Sequence, residues 1–181
     1  LKMERLDSDK KVERSKAVGA ARRKKGVKAH ELVQKVKDDA LKSLQQQIKS
    51  NPSGYEKLMT QVLVESITKL NEVNITVECL PRDAQLVTKL LPTALEAYKQ
   101  TVKAQHKEDP IKYETQLATS AKCSIQLDSS RPLSEKSYIG GVKCVGLNGR
   151  IVCDNTLNTR LALATEALLP TIRGSLFPQM A

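Results

Sequence analysis

The sequence is poor in the residues that most often carry chemistry. It has no Trp, one Phe, four Tyr and two His among 181 residues. Binding by stacked rings therefore starts at a disadvantage, and aliphatic side chains must supply the core. No run of about 18 apolar residues occurs, and no positively charged leader runs into an apolar stretch. Neither a membrane span nor a signal peptide is visible. A cytosolic location is the default expectation, although the chain opens on Leu1 rather than Met and a lost targeting segment stays open.

The four cysteines, Cys79, Cys123, Cys144 and Cys153, lack CxxC spacing and have only His30 and His106 as possible co-ligands. A zinc site is not expected, and reduced thiols in a core are the simpler assignment. Nucleophile elbows, HExxH and SxxK patterns are absent. Gly140-Gly141 and Gly146-Leu-Asn-Gly149 do not lead from a strand into a helix as a phosphate loop must. The sequence thus offers no catalytic residue, no metal ligand and no cofactor site, and an enzyme with a hidden pocket is the least favoured class.

Positive charge is present and unevenly spread. Residues 1–50 hold 15 Lys and Arg against 7 Asp and Glu, whereas residues 51–181 hold 15 against 13. The first segment also contains no proline and only Gly19 and Gly26. This composition predicts an extended basic helix over 1–50, roughly 75 Å long at 1.5 Å per residue, and a separate globular α/β domain over 51–181. Ala29, Val33, Val36, Ala40, Leu44 and Ile48 recur at steps of three and four, at or above 3.67 residues per turn. The spacing predicts a coiled-coil stalk, straight or slightly right-handed, with Val33, Val36, Ala40, Leu44 and Ile48 as the seam facing a partner helix. RRKKG (Arg22 to Gly26) could contact phosphates, so a basic helical nucleic-acid-binding protein is the alternative. No zinc finger, recognition helix or aromatic-bearing sheet accompanies it, and a solvated or acid-paired helix face is the stronger assignment.

SNPSG (Ser50 to Gly54) breaks the helix, and a second helix carrying Tyr55, Met59, Val62, Leu63 and Ile67 should end near Asn71. VNITVECL then alternates as a half-buried strand. Asp83 can cap a helix kinked or broken at Pro92, and a strand centred on Cys123, Ile125 and Leu127 completes a crossover with parallel pairing. Gly140 to Asp154 reads as a hairpin turning at Asn148-Gly149. Its register would set Cys144 against Cys153 and Lys143 against Asp154, and every cysteine would fall on the apolar face of a strand. Leu157, Leu161, Ala164, Leu168 and Ile172 trace the buried stripe expected of a closing helix, kinked at Pro170. The fold class is α+β: a long N-terminal helix, then a globular domain with a mixed four-stranded sheet covered by helices.

One stretch is more specific. Gly140-Gly141-Val142, Gly149-Arg150-Ile151, Asn155-Thr156-Leu157 with Arg160-Leu161, and Leu169-Pro170, Ile172-Arg173, Leu176-Phe177 follow one another in order. In number and order they resemble the closing segment of the E subunits of vacuolar-type (V-type) proton-translocating ATPases. The similarity extends more weakly over the upstream strand and helices. The family usually carries Glu where this chain has Asn158. With Asn155 as N-cap, a Glu there would complete a capping box, and the shorter Asn would weaken it.

The resemblance implies a non-catalytic peripheral-stalk, or stator, subunit of a proton-pumping rotary ATPase. Its long helix would pair with the G subunit, and its C-terminal domain would attach to the catalytic head through the B subunit. Other stator-contacting subunits such as C would be neighbours. The same resemblance implies a place on the cytoplasmic face of vacuolar, lysosomal or other acidic-organelle membranes. The chain would sit there in the soluble sector, peripheral to the membrane only through the complex and with no specific nucleic acid.

Overall fold

A helix of 49 residues, α1 (Lys2–Ser50), opens the chain. The computed structural model describes residues 2–178, with side chains described for these apart from 2–8 and 112. Residue 1 and residues 179–181, at the outer limits of the two expected segments, lie outside the described residues. After α1 come α2 (Pro52–Leu70), β1 (Asn74–Cys79), α3 (Ala84–Glu108), α4 (Pro110–Lys122), β2 (Ser124–Leu127), β3 (Gly141–Gly146), β4 (Ile151–Thr156) and α5 (Leu157–Leu176). The chain divides into two compact units, Leu1–Ala40 with Ala167–Ala181, and Leu41–Glu166.

The break at SNPSG falls where proline and its neighbours require it. Pro52 occupies the first turn of α2, where its missing N–H costs nothing, and Asn51 Oδ1 accepts the N–H of Gly54 at 2.9 Å. The other end of α2 stops at Asn71, which adopts the left-handed conformation (φ 49°, ψ 47°) and donates its N–H to the Ile67 carbonyl. Tyr98 on α3 donates its hydroxyl to Asn71 Oδ1 at 3.2 Å, so the cap of one helix is fixed by the next.

The sheet has the order β2-β1-β3-β4, with β1 parallel to β2 and antiparallel to β3, and β3 antiparallel to β4. It is the mixed four-stranded sheet that the alternating patterns and the crossover predict. Met59, Val62, Leu63 and Ile67 of α2 and Val87, Ala94, Tyr98 and Val102 of α3 are buried in one core with Ile75, Val77, Val142 and Cys144 of the sheet. α2 packs on β3 and β4, α3 on α2 and β2, and α4 on α3. Fully burying such a side chain contributes about 1.5–3 kcal/mol, so this two-layer contact dominates the stability of Leu41–Glu166.

Several expectations need correction. α4 is absent from the sequence pattern: KAQHKEDP reads as a polar connection, yet Pro110 suits a helix start and reopens helical structure directly after α3. Of the kink or break expected at Pro92, the break does not occur: α3 runs through that proline as one helix. Cys123 is buried but lies one residue ahead of β2. Cys144 and Cys153 do face each other, both as free thiols. Lys143 lies opposite Asp154 as expected, but its Nζ pairs with Glu78 Oε2 on the neighbouring β1 at 3.5 Å. Asp154 instead accepts the N–H of Thr156.

The hairpin turn matches the expected geometry: Asn148 (φ 53°) and Gly149 (φ 92°) both take positive φ, and the Arg150 N–H reaches the Leu147 carbonyl at 3.2 Å. The stripe of α5 departs most from expectation. Only Leu157 is buried; Leu161 and Ile172 are half-buried, Ala164 is exposed, and Leu168 keeps 54% of its surface open. Periodicity reports that a helix is amphipathic, not that its own chain covers the apolar side.

Burial pushes the Cys144 thiol up to about 12 and the Cys79 thiol up to about 11, and it raises the Tyr98 phenol to about 12. Each folded-state value lies above the ordinary one, near 9 for a thiol and 10 for a phenol, so the folded chain holds these protons longer than the unfolded chain. Their contribution is complete below about pH 9 and is lost as pH rises toward 12. Urea denaturation between pH 7 and pH 11 should therefore give a flat midpoint to about pH 9 and a progressive fall beyond it; a midpoint unchanged to pH 11 would contradict this assignment.

Candidate docking surfaces

On α1 the structure divides the expected seam. Val33 is buried at 6% exposure and Ala40 is half-buried, whereas Val36 remains 40% exposed. Leu44 and Ile48, with Leu41, pack against the core that α2, α3 and the sheet form. Leu44 and Ile48 also line a cavity of about 420 Å³ with Leu58 and Leu157. In the last two turns of α1 only Leu44 and Ile48 are half-buried by the chain itself; the other residues are exposed. Further toward the N-terminus, Gly26, Ala29 and His30 share a cavity of about 380 Å³ with Pro170, Arg173, Gly174 and Phe177. Pro170 and Arg173 from the sequence signature thus line a recess within the unit they form with α1.

Gly140, Gly141 and Leu157 of the signature meet at the entry to β3. Tyr55 donates its hydroxyl to Asp83 Oδ2 at 2.7 Å and accepts the Gly141 N–H at 3.4 Å. Arg82 donates to the Ile139 carbonyl at 2.5 Å, and the Gly140 carbonyl accepts the Leu157 N–H at 3.0 Å. The two glycines are required by space. A Cβ on Gly140 would lie 2.6 Å from the Tyr55 hydroxyl, and one on Gly141 would lie 2.7 Å from the Thr156 Cα. Asp83 precedes α3 as expected but makes no side-chain cap; its carboxylate is used by Tyr55 instead. Burial first, and then the bond to Asp83, raises the Tyr55 phenol well above its ordinary value.

Asn155, expected as the N-cap of α5, lies in β4 and turns inward. Its Nδ2 donates to the Val62 carbonyl and to Ser66 Oγ, both at 3.1 Å, and its Oδ1 accepts from Arg160 Nη1 at 3.0 Å. Arg160 also reaches Glu65 Oε2 at 2.5 Å, and that bond holds the Glu65 carboxyl below its ordinary value. Thr156 takes the capping position, its Oγ1 accepting the Thr159 N–H at 3.4 Å. One consequence reaches Asn158, which becomes the second helical residue rather than the third. Its Oδ1 accepts the Ile139 N–H at 2.9 Å and its Nδ2 donates to the Ser137 carbonyl at 3.1 Å. Asn158 is a clasp on the segment before β3, not a weakened capping box. Leu161 is half-buried on the second turn of α5, while Gly149 and Arg150 serve the hairpin turn. Among the described residues no group of three or more His, Cys, Asp and Glu could hold a metal ion, and no helix is long and apolar enough to cross a membrane.

Removing the Tyr55 hydroxyl leaves the buried Asp83 carboxylate without its 2.7 Å donor, which costs about 1.5–3 kcal/mol for a charged acceptor. Tyr55→Phe and Asn158→Ala should each lower the unfolding free energy by about 1 kcal/mol or more, read as a lower urea midpoint, without changing the far-UV signal of the folded state. A Tyr55→Phe variant within about 0.5 kcal/mol of the parent would show that the bond contributes nothing.

Comparison with known proteins follows the same line. The family model described as ATP synthase (E/31 kDa) subunit matches residues 2–177. The E subunit of the V-type proton ATPase of Drosophila melanogaster is 33% identical over 176 residues, covering 97% of this chain and 70% of the relative. The E1 subunit of the V-type proton ATPase of Arabidopsis thaliana is 30% identical over 179 residues, covering 99% and 74%. The family model matches almost the whole length of the chain and both relatives are covered by more than two thirds, so the chain belongs to the ATP synthase (E/31 kDa) subunit family, whose relatives here are E subunits of V-type proton ATPases.

Proposed function

We propose that the chain is the E-type stator subunit of a V-type proton-pumping ATPase, a structural part that performs no catalysis. Residues 1–50 act as the stalk segment and residues 51–181 as the globular part. The stalk pairs with the G subunit, and the globular part joins the head at the B subunit, with C among the neighbours of the stator. The complex works at acidic-organelle membranes, with this chain on the cytoplasmic side. The observation that carries this reading is a continuous 49-residue helix that leaves apolar side chains in water. A lone helix of that length gains little from propensity; packing an apolar face against a partner stabilises it. Of the seam expected from periodicity, Val33, Val36, Ala40, Leu44 and Ile48, it is Val36 that stays most open to a second helix.

The mechanism is mechanical. A stator must transmit force along its length without unwinding, so helix continuity matters more than any single contact. Gly19 and Gly26 are the soft points of α1, each costing about 1 kcal/mol against Ala in a helix interior. Neither is there for want of space: a Cβ on Gly26 meets nothing within 4 Å, and one on Gly19 meets only the tip of Arg23 at 3.6 Å.

Co-expression with the cognate G subunit should convert a poorly behaved chain into a stable heterodimer, read by size-exclusion chromatography with light scattering. An equally stable monomer that ignores the G subunit would sink the stator reading. Within that heterodimer, Gly19→Ala with Gly26→Ala should raise the thermal midpoint by a few degrees while leaving the pairing intact, as expected for about 1–2 kcal/mol of added helix stability. A lowered midpoint would mean that the glycines serve a close approach instead.

A further inference from the structure

Two of the four thiols stand together. Cys144 on β3 and Cys153 on β4 are register partners in the antiparallel ladder, so their side chains leave the sheet on the same face. Cys144 is fully buried in the core, and Cys153 is half-buried at its margin. The other two lack such a neighbour: Cys79 is opposite Val142, and Cys123 lies one residue ahead of β2. Residues opposite one another in an antiparallel pair have Cα atoms about 4.5–5.5 Å apart, inside the roughly 4.4–6.8 Å that a disulfide spans. Their Cβ atoms, also about 4.5–5.5 Å apart, must approach by up to about 1 Å to form the bond. β4 can supply that movement because it is the edge strand of the sheet.

The two thiols differ in access. Cys153 lines a cavity of about 680 Å³ with Val64 and Thr68 of α2 and Arg160 and Leu163 of α5, and Leu163 is 61% exposed. A small molecule reaches Cys153 from solvent by this route. Burial pushes the Cys144 thiol up to about 12, so at pH 7 only about one molecule in 10⁵ carries the thiolate there. Direct attack by Cys144 on a dissolved disulfide is therefore negligible. Attack on a sulfur already held on the opposite strand is not, because effective molarities of about 10⁵–10⁸ M offset that fraction, and a thiolate of high pKa is the stronger nucleophile. Cys153 is thus the entry thiol and Cys144 the resolving one.

We propose that Cys153 is a thiol–disulfide exchange site for small disulfides and that it passes the bond to Cys144, latching the edge strand β4 to β3. In the first step the Cys153 thiolate attacks one sulfur of a low-molecular-weight disulfide. A bond forms from its Sγ to that sulfur, the small disulfide breaks, and one small thiol leaves with the proton that Cys153 gave up. In the second step Cys144 attacks Cys153 Sγ, the mixed disulfide breaks, and the other small thiol leaves with the Cys144 proton. The chain is oxidised by two electrons and loses two hydrogens, and the small disulfide is reduced to two thiols. Because the bond must draw the strands together, it belongs with the disulfides that excess thiol reopens rather than with permanent ones. The latch closes the hairpin loop 145–152, and two residues beyond Cys153 the side chain of Asn155 is already bonded to Val62 and Ser66 of α2. Oxidation therefore fastens the strand that ties the sheet to its helices. All of these residues lie within Leu41–Glu166, so the proposal is independent of the stator reading.

The test uses the full chain, reduced, incubated with glutathione disulfide at about pH 8, quenched with acid and read by mass spectrometry of the intact chain and its peptides. The expected product has lost two hydrogens and joins the peptides of Cys144 and Cys153, with Cys79 and Cys123 still open to alkylation after unfolding. Cys144→Ala should stop at one glutathione on Cys153, and Cys153→Ala should give neither product. A parent chain that stays reduced, that holds the glutathione adduct without forming the bridge, or that bridges through Cys79 or Cys123 overturns the proposal. Excess reduced glutathione should reopen the bond, and a bond that withstands it overturns the exchange role. Oxidation should also raise the thermal midpoint of the parent by a few degrees and leave that of Cys144→Ala unmoved. A midpoint unchanged or lowered in the bridged chain overturns the latch.

Discussion

The hydroxyl of Tyr55 is where the globular unit closes. It joins α2, which carries it, to the Asp83 carboxylate ahead of α3 and to the Gly141 N–H at the head of β3. The segment it fixes is held at nearly every polar group. Asn158 takes the Ser137 carbonyl and the Ile139 N–H, Arg82 takes the Ile139 carbonyl, and the Leu157 N–H takes the Gly140 carbonyl. Three helices thus meet one extended strand entry, and a Cβ at Gly140 would strike Tyr55 of α2 while one at Gly141 would strike the backbone where β4 passes into α5. Buried polar groups stabilise a unique arrangement only when each has a partner, and at this junction each does. The register of β3, and through it the placement of β1 and β4, follows from this junction.

The side chains that could carry chemistry are engaged in packing and in one another. The cysteines are free thiols, three of them buried, and burial raises the pKa of those three and makes them less reactive. Glu78 and Lys143 satisfy one another across neighbouring strands, and Arg160 is divided between Glu65 and Asn155. What remains available is surface: the open side of α1, and the exposed Leu163 and Leu168 of α5. Exposed apolar side chains of this kind are the surface that a partner can cover.

Elements with strong local signals are legible in the sequence. Pro52 and Gly54 mark the break after α1, alternation over Asn74–Cys79 marks β1, and Asn148-Gly149 marks the turn that sets Cys144 against Cys153. Local pattern does not reveal which side chains leave their local role for a distant one. Asp83 stands at a helix start and Asn155 beside one, and both have the chemistry of caps, but tertiary partners 28 and 89 residues away claim them. Asn158 reads as a deficient capping residue only while the cap is placed one position early, on Asn155 rather than Thr156. The stalk seam is half legible for a related reason. Steps of three and four locate an apolar face, but they cannot distinguish Leu44 and Ile48, half-buried against the chain's own core, from Val36, which stays open.

The proposal comes down to one division: a globular unit with a buried core of its own, and a helix whose apolar side chains lie largely open. Amide hydrogen exchange measures both together. In the chain alone, amides of β1, β3 and the buried turns of α2 and α3 should be strongly protected while those of residues 9–40 exchange within seconds to minutes; with the G subunit bound, protection should rise many-fold over 9–40 and stay unchanged in the sheet. Strong protection of residues 9–40 in the isolated chain, unaltered by the partner, would contradict the account at its centre.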